Sequence, residues 1–524
     1  MIGRATPRRF AINVASGFGS LSLSLILGLW YTPFMIRRLG APVYGLIPLA
    51  SSITNYLSIV TGAIGSTVAR FIVADLARGD ADNANRHFNT FLAVGAAIAA
   101  GLFAVSSAFG FTLVPVVLKI PPGYERATEY LFIAVAGTFL LSTITNIFAS
   151  SIWVSNRFEI QGLIEGSTSI LRVGLIIVFF EIWRPALWQV AIAIAGAGVF
   201  GLVAMMLASR KLAPALRLRP SDFDRSKVAE LRYTSSWLVV CTVGNVLFLN
   251  MDLLLANVLL GPKASGYYAP LIQWLVLLRT LAGVVAGVLG PPLIVFFARH
   301  ETDSLLRLSR QAAKFLGLLM ALPIGLLCGF GRAVLQTWLG RSLPDIVSYA
   351  PLVWLLLLPL CLEAAQMHLG SVIIAANRLR TPGLFYLGSG LPYVLGALWL
   401  TRHYQLGLYG IAVAGAVVSL ARSVFNSSYA TRVIERKGNA FIGMMTRGAA
   451  AALAISGAAL IASHWLVPGS WIRLGLFAAP LGGLYLWVAY SFLLNEEDRT
   501  RVKDILFLRG AAETEAAPAT SASR

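Results

Sequence analysis

Apolar runs of about 20 residues, each bounded by a short polar segment, recur from Ala11 to Leu494. A helix rising about 1.5 Å per residue needs a run of that length to cross a hydrocarbon core roughly 30 Å thick. The pattern predicts about fourteen transmembrane helices. The segments between them stay within about 25 residues, too short to bury a core of their own. The fold class is therefore an all-α polytopic membrane protein. The first run keeps transmembrane length and lacks a small-residue cleavage site, so it reads as a retained helix rather than a signal peptide.

The pattern also repeats. Displacing the chain against itself by 221 residues aligns, without a gap, Leu39-Gly40 with Leu260-Gly261, Gly45 with Gly266, Gly62 with Gly283, Ala77-Arg78 with Ala298-Arg299 and Asp82 with Asp303. Far downstream the same offset aligns Asn156-Arg157 with Asn377-Arg378 and Gly162-Leu163 with Gly383-Leu384. Scattered Leu or Ala identities arise between any two hydrophobic stretches, whereas turn glycines and charged loop residues held in one register point to duplication. Each copy holds an even number of helices, six, so both enter the membrane from the same side and an axis along the membrane normal relates them. The expected organisation is a six-helix lobe over 1–209, a basic loop over 210–234, a second six-helix lobe over 235–433, two added helices over 434–494 and a tail over 495–524. The added pair could pack beside the lobes or bind a lipid tail. Gly40 and Gly45 fall where one helix ends and the next begins across a tight turn.

Composition agrees: 57% of residues are hydrophobic and 12% charged, with a mean hydropathy of +0.75. The net charge of +19 changes the picture through its distribution. With the N-terminus inside, 26 basic residues fall in cytoplasmic segments and 10 in outer ones, which places both termini in the cytoplasm. The loop from Arg210 to Tyr233 alone holds seven of them and reads as an inter-lobe linker. A bias of this kind favours anionic lipid headgroups over nucleic acid. Cys241, Cys328 and Cys361 lie within spans and lack paired spacing or companion ligands, so neither a disulfide nor a metal site is expected. The Ala/Thr/Ser/Pro tail is too polar to cross a membrane and too poor in apolar residues to form a core, and reads as disordered at its end.

Charges inside the spans are costly and usually face a cavity or a partner. Arg172, Arg279 and Arg422 fall near mid-span, and Arg70 nearer the cytoplasmic end of its helix. Together they suggest a cationic cavity suited to phosphate through the planar guanidinium. Glu165, Asp252 and Glu363 are the candidate charge partners or ion-coupling groups, a proton or sodium ion being the open choices. Glu165, Ser169 and Arg172 share one helix face, and Cys241, Asn245 and Asp252 form a similar stripe. Ser51, Asn55, Ser58, Gly62, Thr138, Ser142 and Thr145 could line a sugar path or serve close helix packing. Gly290-Pro291-Pro292 should break or kink the eighth helix, as a gate or as a packing feature. No phosphate-binding loop, zinc motif, nucleophile elbow or sizeable outer loop appears, so no enzyme and no cofactor are expected.

The stretch RRLGAPVYGL from Arg37 to Leu46, followed by GAIGSTVARFI from Gly62 to Ile72, resembles the opening of polysaccharide-biosynthesis flippases of the multidrug/oligosaccharidyl-lipid/polysaccharide exporter superfamily. Asn156-Arg157 ahead of the fifth helix and the twelve-plus-two helix count extend the resemblance over nearly the whole chain. It implies translocation of an undecaprenyl-diphosphate-linked oligosaccharide across a bacterial inner membrane by alternating access between two lobes. The implied partners are that lipid, the surrounding membrane lipids and other polysaccharide assembly proteins. An excess of Arg over carboxylates disfavours the first alternative, an ion-coupled extruder of cationic drugs. The second alternative, a membrane enzyme of polysaccharide assembly, lacks its catalytic loop.

Overall fold

Lipid offers a backbone nothing to hydrogen-bond, so a chain this apolar satisfies its amides within helices. The computed structural model is helical, with no strand among the described residues. It describes residues 7–57, 68, 71–72, 75–76, 78–112, 114–232, 236–434, 440–466 and 469–493. Twelve helices there are long and apolar enough to cross a membrane. They are α3 (Ala81–Thr112), α4 (Glu125–Ser155), α5 (Phe158–Ile182), α6 (Leu187–Leu212), α7 (Trp237–Leu260), α8 (Pro262–Ala298), α9 (Thr302–Gly329), α10 (Pro344–Gln366), α11 (Arg380–Arg402), α12 (Leu408–Val433), α13 (Ile442–Ser463) and α14 (Trp471–Phe492). The other two expected spans are α1 (Pro7–Leu39) and α2, which is described over Ala41–Tyr44, Leu46–Thr54 and Asn55–Leu57. Arg70, Ser58, Gly62 and the tail lie outside the described residues.

The helices form two bundles. In the first, α4 packs on α3 and α6, and α5 on α1 and α6; in the second, α9 packs on α8 and α10, and α12 on α10 and α11. Helix α13 lies against α9 and α10. Its seam is made by small residues: Gly317, Gly325 and Gly329 of α9 meet Gly448, Ile455 and Ala459 of α13 so closely that an added Cβ would collide at Gly325 and Gly329. Where lipid removes the hydrophobic drive between helices, such close approach supplies the dispersion energy that holds them. Of the two placements open for the added helices, α13 therefore packs beside a bundle.

Backbone geometry repeats with the sequence. Left-handed backbone occurs at Gly40 and Gly261 (φ 81 and 97), at Gly79 and His300 (81 and 58) and at Asn156 and Asn377 (52 and 52), each pair 221 residues apart. Glycine, and asparagine next best, adopts this region at low cost. Gly162 meets Ser20 on α1, and its counterpart Gly383 meets Cys241 on α7, which is the counterpart of Ser20. One contact is inverted: Gly166 faces Leu23 in the first bundle, whereas Gly244 faces Leu387 in the second, so the glycine has changed partners. Between the bundles Gly45 lies directly against Gly266, and a residue touching its own counterpart lies beside the axis that relates the copies.

The structure refines two expectations. The eighth helix is one continuous helical element from Pro262 to Ala298 across Gly290-Pro291-Pro292. Two prolines remove only two backbone bonds from so long a helix, and Gly290 instead lets Ser371 approach. The inter-lobe loop is docked rather than merely a linker. Asn85 accepts from the Arg217 amide (2.7 Å), Asn89 accepts from the Arg219 amide (2.8 Å) and donates to the Arg217 carbonyl (2.8 Å), and Thr90 accepts from the Asp224 amide (2.9 Å). Asp224 then accepts from the Ser226 amide and hydroxyl, which hold its carboxyl below the usual range and start the helix Arg225–Arg232.

Candidate transport cavities

In the second bundle, α8 and α10 bring Arg279 against Glu363 as a two-pronged ion pair, Nε to Oε1 at 2.8 Å and Nη2 to Oε2 at 2.9 Å. The parallel fork satisfies both carboxylate oxygens, which a pair at this depth requires. Ser419 of α12 donates to Oε2 at 3.4 Å. One turn along α12, Arg422 lies over the rings of Phe248 and Tyr386, with its guanidinium carbon 4.4 and 4.6 Å from their centroids. Its Nη2 donates to Asn245 Oδ1 at 2.8 Å, and its buried Nη1 has no partner among the described residues. A cavity of about 280 Å³ lies here, lined by Asn245, Glu363, Gln366, Tyr386, Arg422 and Asn426 among others. Asp252 is nearby on α7 and accepts a short hydrogen bond from Tyr393 of α11.

The first bundle has a cavity of about 400 Å³, lined by Ser51, Thr138, Ser142, Thr145, Glu165, Ser169 and Arg172 among others. A third opening of about 540 Å³ lies between α1, α5 and α8, where Ser16, Ser20, Ser24, Gln161, Glu165, Gln273 and Thr280 interrupt apolar walls. The two intra-bundle cavities occupy the same place in the repeat. Nine of the fourteen residues lining the second have their 221-offset counterparts lining the first. These are Glu363 for Ser142, Gln366 for Thr145, Met367 for Asn146, Gly370 for Ala149, Tyr386 for Glu165, Ser419 for Gly198, Arg422 for Gly201, Ser423 for Leu202 and Asn426 for Met205.

The residues singled out from sequence thus fall into two groups rather than one cationic cavity. Arg172 and Glu165 line the first bundle's cavity, and Arg279, Glu363 and Arg422 line the second bundle's site. Glu363 pairs with Arg279, so Arg422 is the arginine of that site without a carboxylate partner. The helix-face reading of Glu165, Ser169 and Arg172 matches their common cavity. Cys241 and Asn245 line the Arg422 cavity, while Asp252 lies in the adjoining cleft with Arg279. His368 is turned away from Glu363, onto the Ser309 carbonyl at 2.9 Å. Tyr386, Phe248 and Tyr393 were not legible as site residues. One signal pointed at Tyr393: it is the repeat counterpart of Arg172, as Asp252 is of Tyr31.

Hydrogen bonds between the bundles gather at the end carrying the α1–α2 and α7–α8 turns. Asn257 accepts from the Lys119 amide (2.9 Å) and donates to its carbonyl (3.1 Å), Lys119 Nζ donates to the Leu259 carbonyl (3.1 Å), and Thr32 donates to Gln273 (2.8 Å). Trp338 donates to the Leu29 carbonyl at 2.6 Å, and deeper along α2 Asn55 donates to Asn250 at 3.3 Å.

No protein-family model matches the chain. The uncharacterized membrane protein EpsK of Bacillus subtilis (strain 168) is 31% identical over 435 residues, covering 83% of this chain and 85% of that protein. The chain belongs to the EpsK family. Among solved structures, this EpsK-family fold is similar to the lipid II flippase MurJ in its inward closed conformation, with a TM-score of 0.67 and 13% identity over 93% of this chain and 100% of that one. It is also similar to an inward-facing multidrug resistance MATE family transporter of the MOP superfamily, with a TM-score of 0.61 and 14% identity over 83% and 96% of the two chains. The eukaryotic MATE transporter AtDTX14 gives 0.62 and 11% identity, covering 86% and 98%. At these identities the likeness is one of fold, and that fold is the one expected from sequence.

Proposed function

We propose that this EpsK-family membrane protein flips an undecaprenyl-diphosphate-linked oligosaccharide from the cytoplasmic to the periplasmic leaflet of a bacterial inner membrane, for cell-surface polysaccharide synthesis. The observation that carries the reading is the pair of repeat-related cavities, lined by hydroxyls and amides and carrying net positive charge at Arg422 in the second. Sugars need such donors and acceptors, and Arg422 offers a cation to an acidic group on the oligosaccharide. The apolar-walled opening between α1, α5 and α8 gives a lipid tail a place to remain in the bilayer while its headgroup enters. The lobes in this reading are residues 1–209 and 235–433, with both termini cytoplasmic as the basic loops dictate. The hydrogen-bonded end is then periplasmic and closed, and the lobes alternate about it. Glu363 is committed to Arg279, which leaves Asp252 and Glu165 as the carboxylates for any proton or sodium coupling. Other polysaccharide assembly proteins would supply and receive the lipid; the transport step itself makes and breaks no covalent bond.

Reconstitution into vesicles with a fluorescent undecaprenyl-diphosphate oligosaccharide tests this. Movement of the label to the opposite leaflet, dependent on the protein, is expected. Inactivity on every such lipid together with export of organic cations would overturn it.

A further inference from the structure

Arg422 presents an arrangement that the ion pair beside it does not share. It is 7% exposed, its guanidinium lies over the rings of Phe248 and Tyr386, and Nη2 is fixed by Asn245. What remains is Nη1, a buried charged donor without a partner among the described residues, beside an open cavity. A guanidinium packed against two rings and hydrogen-bonded along one edge is held in place, so whatever satisfies Nη1 must come to it. An unsatisfied charged donor at membrane depth is expensive, which favours any anion the cavity admits.

We infer that the Arg422 cavity is a subsite for a single carboxylated sugar unit. This rests on the proposed function and names a chemical class within its substrate. Three properties select the occupant. The volume, about 280 Å³, lies just below the roughly 300–1,000 Å³ of pockets for drug-sized ligands, so it suits one monosaccharide unit. Glu363 is taken up by Arg279 in a two-pronged pair, so Arg422 is the cation on this wall without a carboxylate partner, and one carboxylate would supply it. A diphosphate would bring surplus negative charge into a low-dielectric site beside Glu363, at a cost that nothing there offsets. The remaining wall, with Thr242, Asn245, Gln366, Ser423 and Asn426, supplies amides and hydroxyls for ring hydroxyls. The equivalent positions in the first bundle differ: the counterpart of Arg422 is Gly201, the counterpart of Tyr386 is Glu165, an acid, and the arginine lining that cavity is Arg172 at another position.

The test uses the full chain in lipid nanodiscs, with glucuronate, glucose and pyrophosphate as separate probes at matched ionic strength, read by thermal unfolding across a concentration series. Glucuronate should raise the melting temperature in a saturable manner, by roughly 2 °C or more, with glucose and pyrophosphate giving no saturable shift. Arg422→Gln should weaken the glucuronate midpoint at least about ten-fold. Asn245→Asp guards against a folding defect in that variant: it keeps the arginine and its hydrogen bond but supplies an internal carboxylate, and should abolish the glucuronate response in a stably folded protein. Equal shifts with glucose, a larger shift with pyrophosphate, or an unchanged glucuronate response in Asn245→Asp would each overturn the subsite. A protein that flips lipid-linked oligosaccharide yet ignores glucuronate loses the subsite and keeps the proposed function. One that answers to glucuronate through Arg422 yet moves no such lipid loses the proposed function alone.

Discussion

Glu363 and Arg279 are each far from water along their helices, yet the structure leaves both carboxylate oxygens and two guanidinium nitrogens satisfied. Such a pair contributes modestly when complete and costs a great deal when halved. Either Arg279→Gln or Glu363→Gln should therefore destabilise the protein by about 3 kcal/mol, while the double variant recovers most of the loss. Thermal unfolding of the four proteins in one lipid checks this; equal stability of single and double variants would contradict it. The repeat sharpens the point. Residues 279 and 363 replace Ser58 and Ser142 of the first copy, so the pair stands where the repeat has two serines. Sequence identified Asp252, Arg279, Glu363 and Arg422 as charges within the spans of the second bundle. It did not identify their pairing, because partners 84 residues apart meet only once α8 and α10 have packed.

The elements themselves were largely legible. Twelve of the fourteen expected spans appear as helices of membrane length, since length and continuity of apolar residues decide whether a helix can cross lipid. What the run of hydrophobicity does not encode is which face meets which neighbour. Helix α13 shows this: its partner is settled by glycines on α9 that only backbone approach makes meaningful. At Gly329, a Cβ would collide with Ala459 and the Ser456 carbonyl. Gly329→Val should separate α13 from α9 and cost about 2 kcal/mol, whereas valine at the open Gly457 should change little. Limited proteolysis and thermal unfolding separate the two outcomes. The proline pair in α8 is the opposite lesson, a local signal for a break that the assembled helix did not follow.

At the scale of the whole molecule, the bundles meet along Gly45 and Gly266 and are tied by Lys119 and Asn257 at the same end. If the lobes alternate as proposed, that end must part in every cycle. A Lys119→Cys, Asn257→Cys double variant, joined by a short thiol-specific cross-linker, should lose more than about 90% of transport, the remainder tracking uncoupled protein; a cleavable linker should restore it on reduction. Retained transport in the linked protein would show that the end stays closed throughout. The sequence by itself determined the helices, their number, the 221-residue duplication and the set of charges buried at membrane depth. Each of these depends on local composition or on register, which a linear chain carries in full. The tertiary structure decided which charges pair, that the described arginines divide between two cavities rather than converge on one, and that Arg422 keeps a buried donor without a partner among the described residues. Those facts depend on the rotation of each helix about its axis, and packing against neighbours sets that rotation.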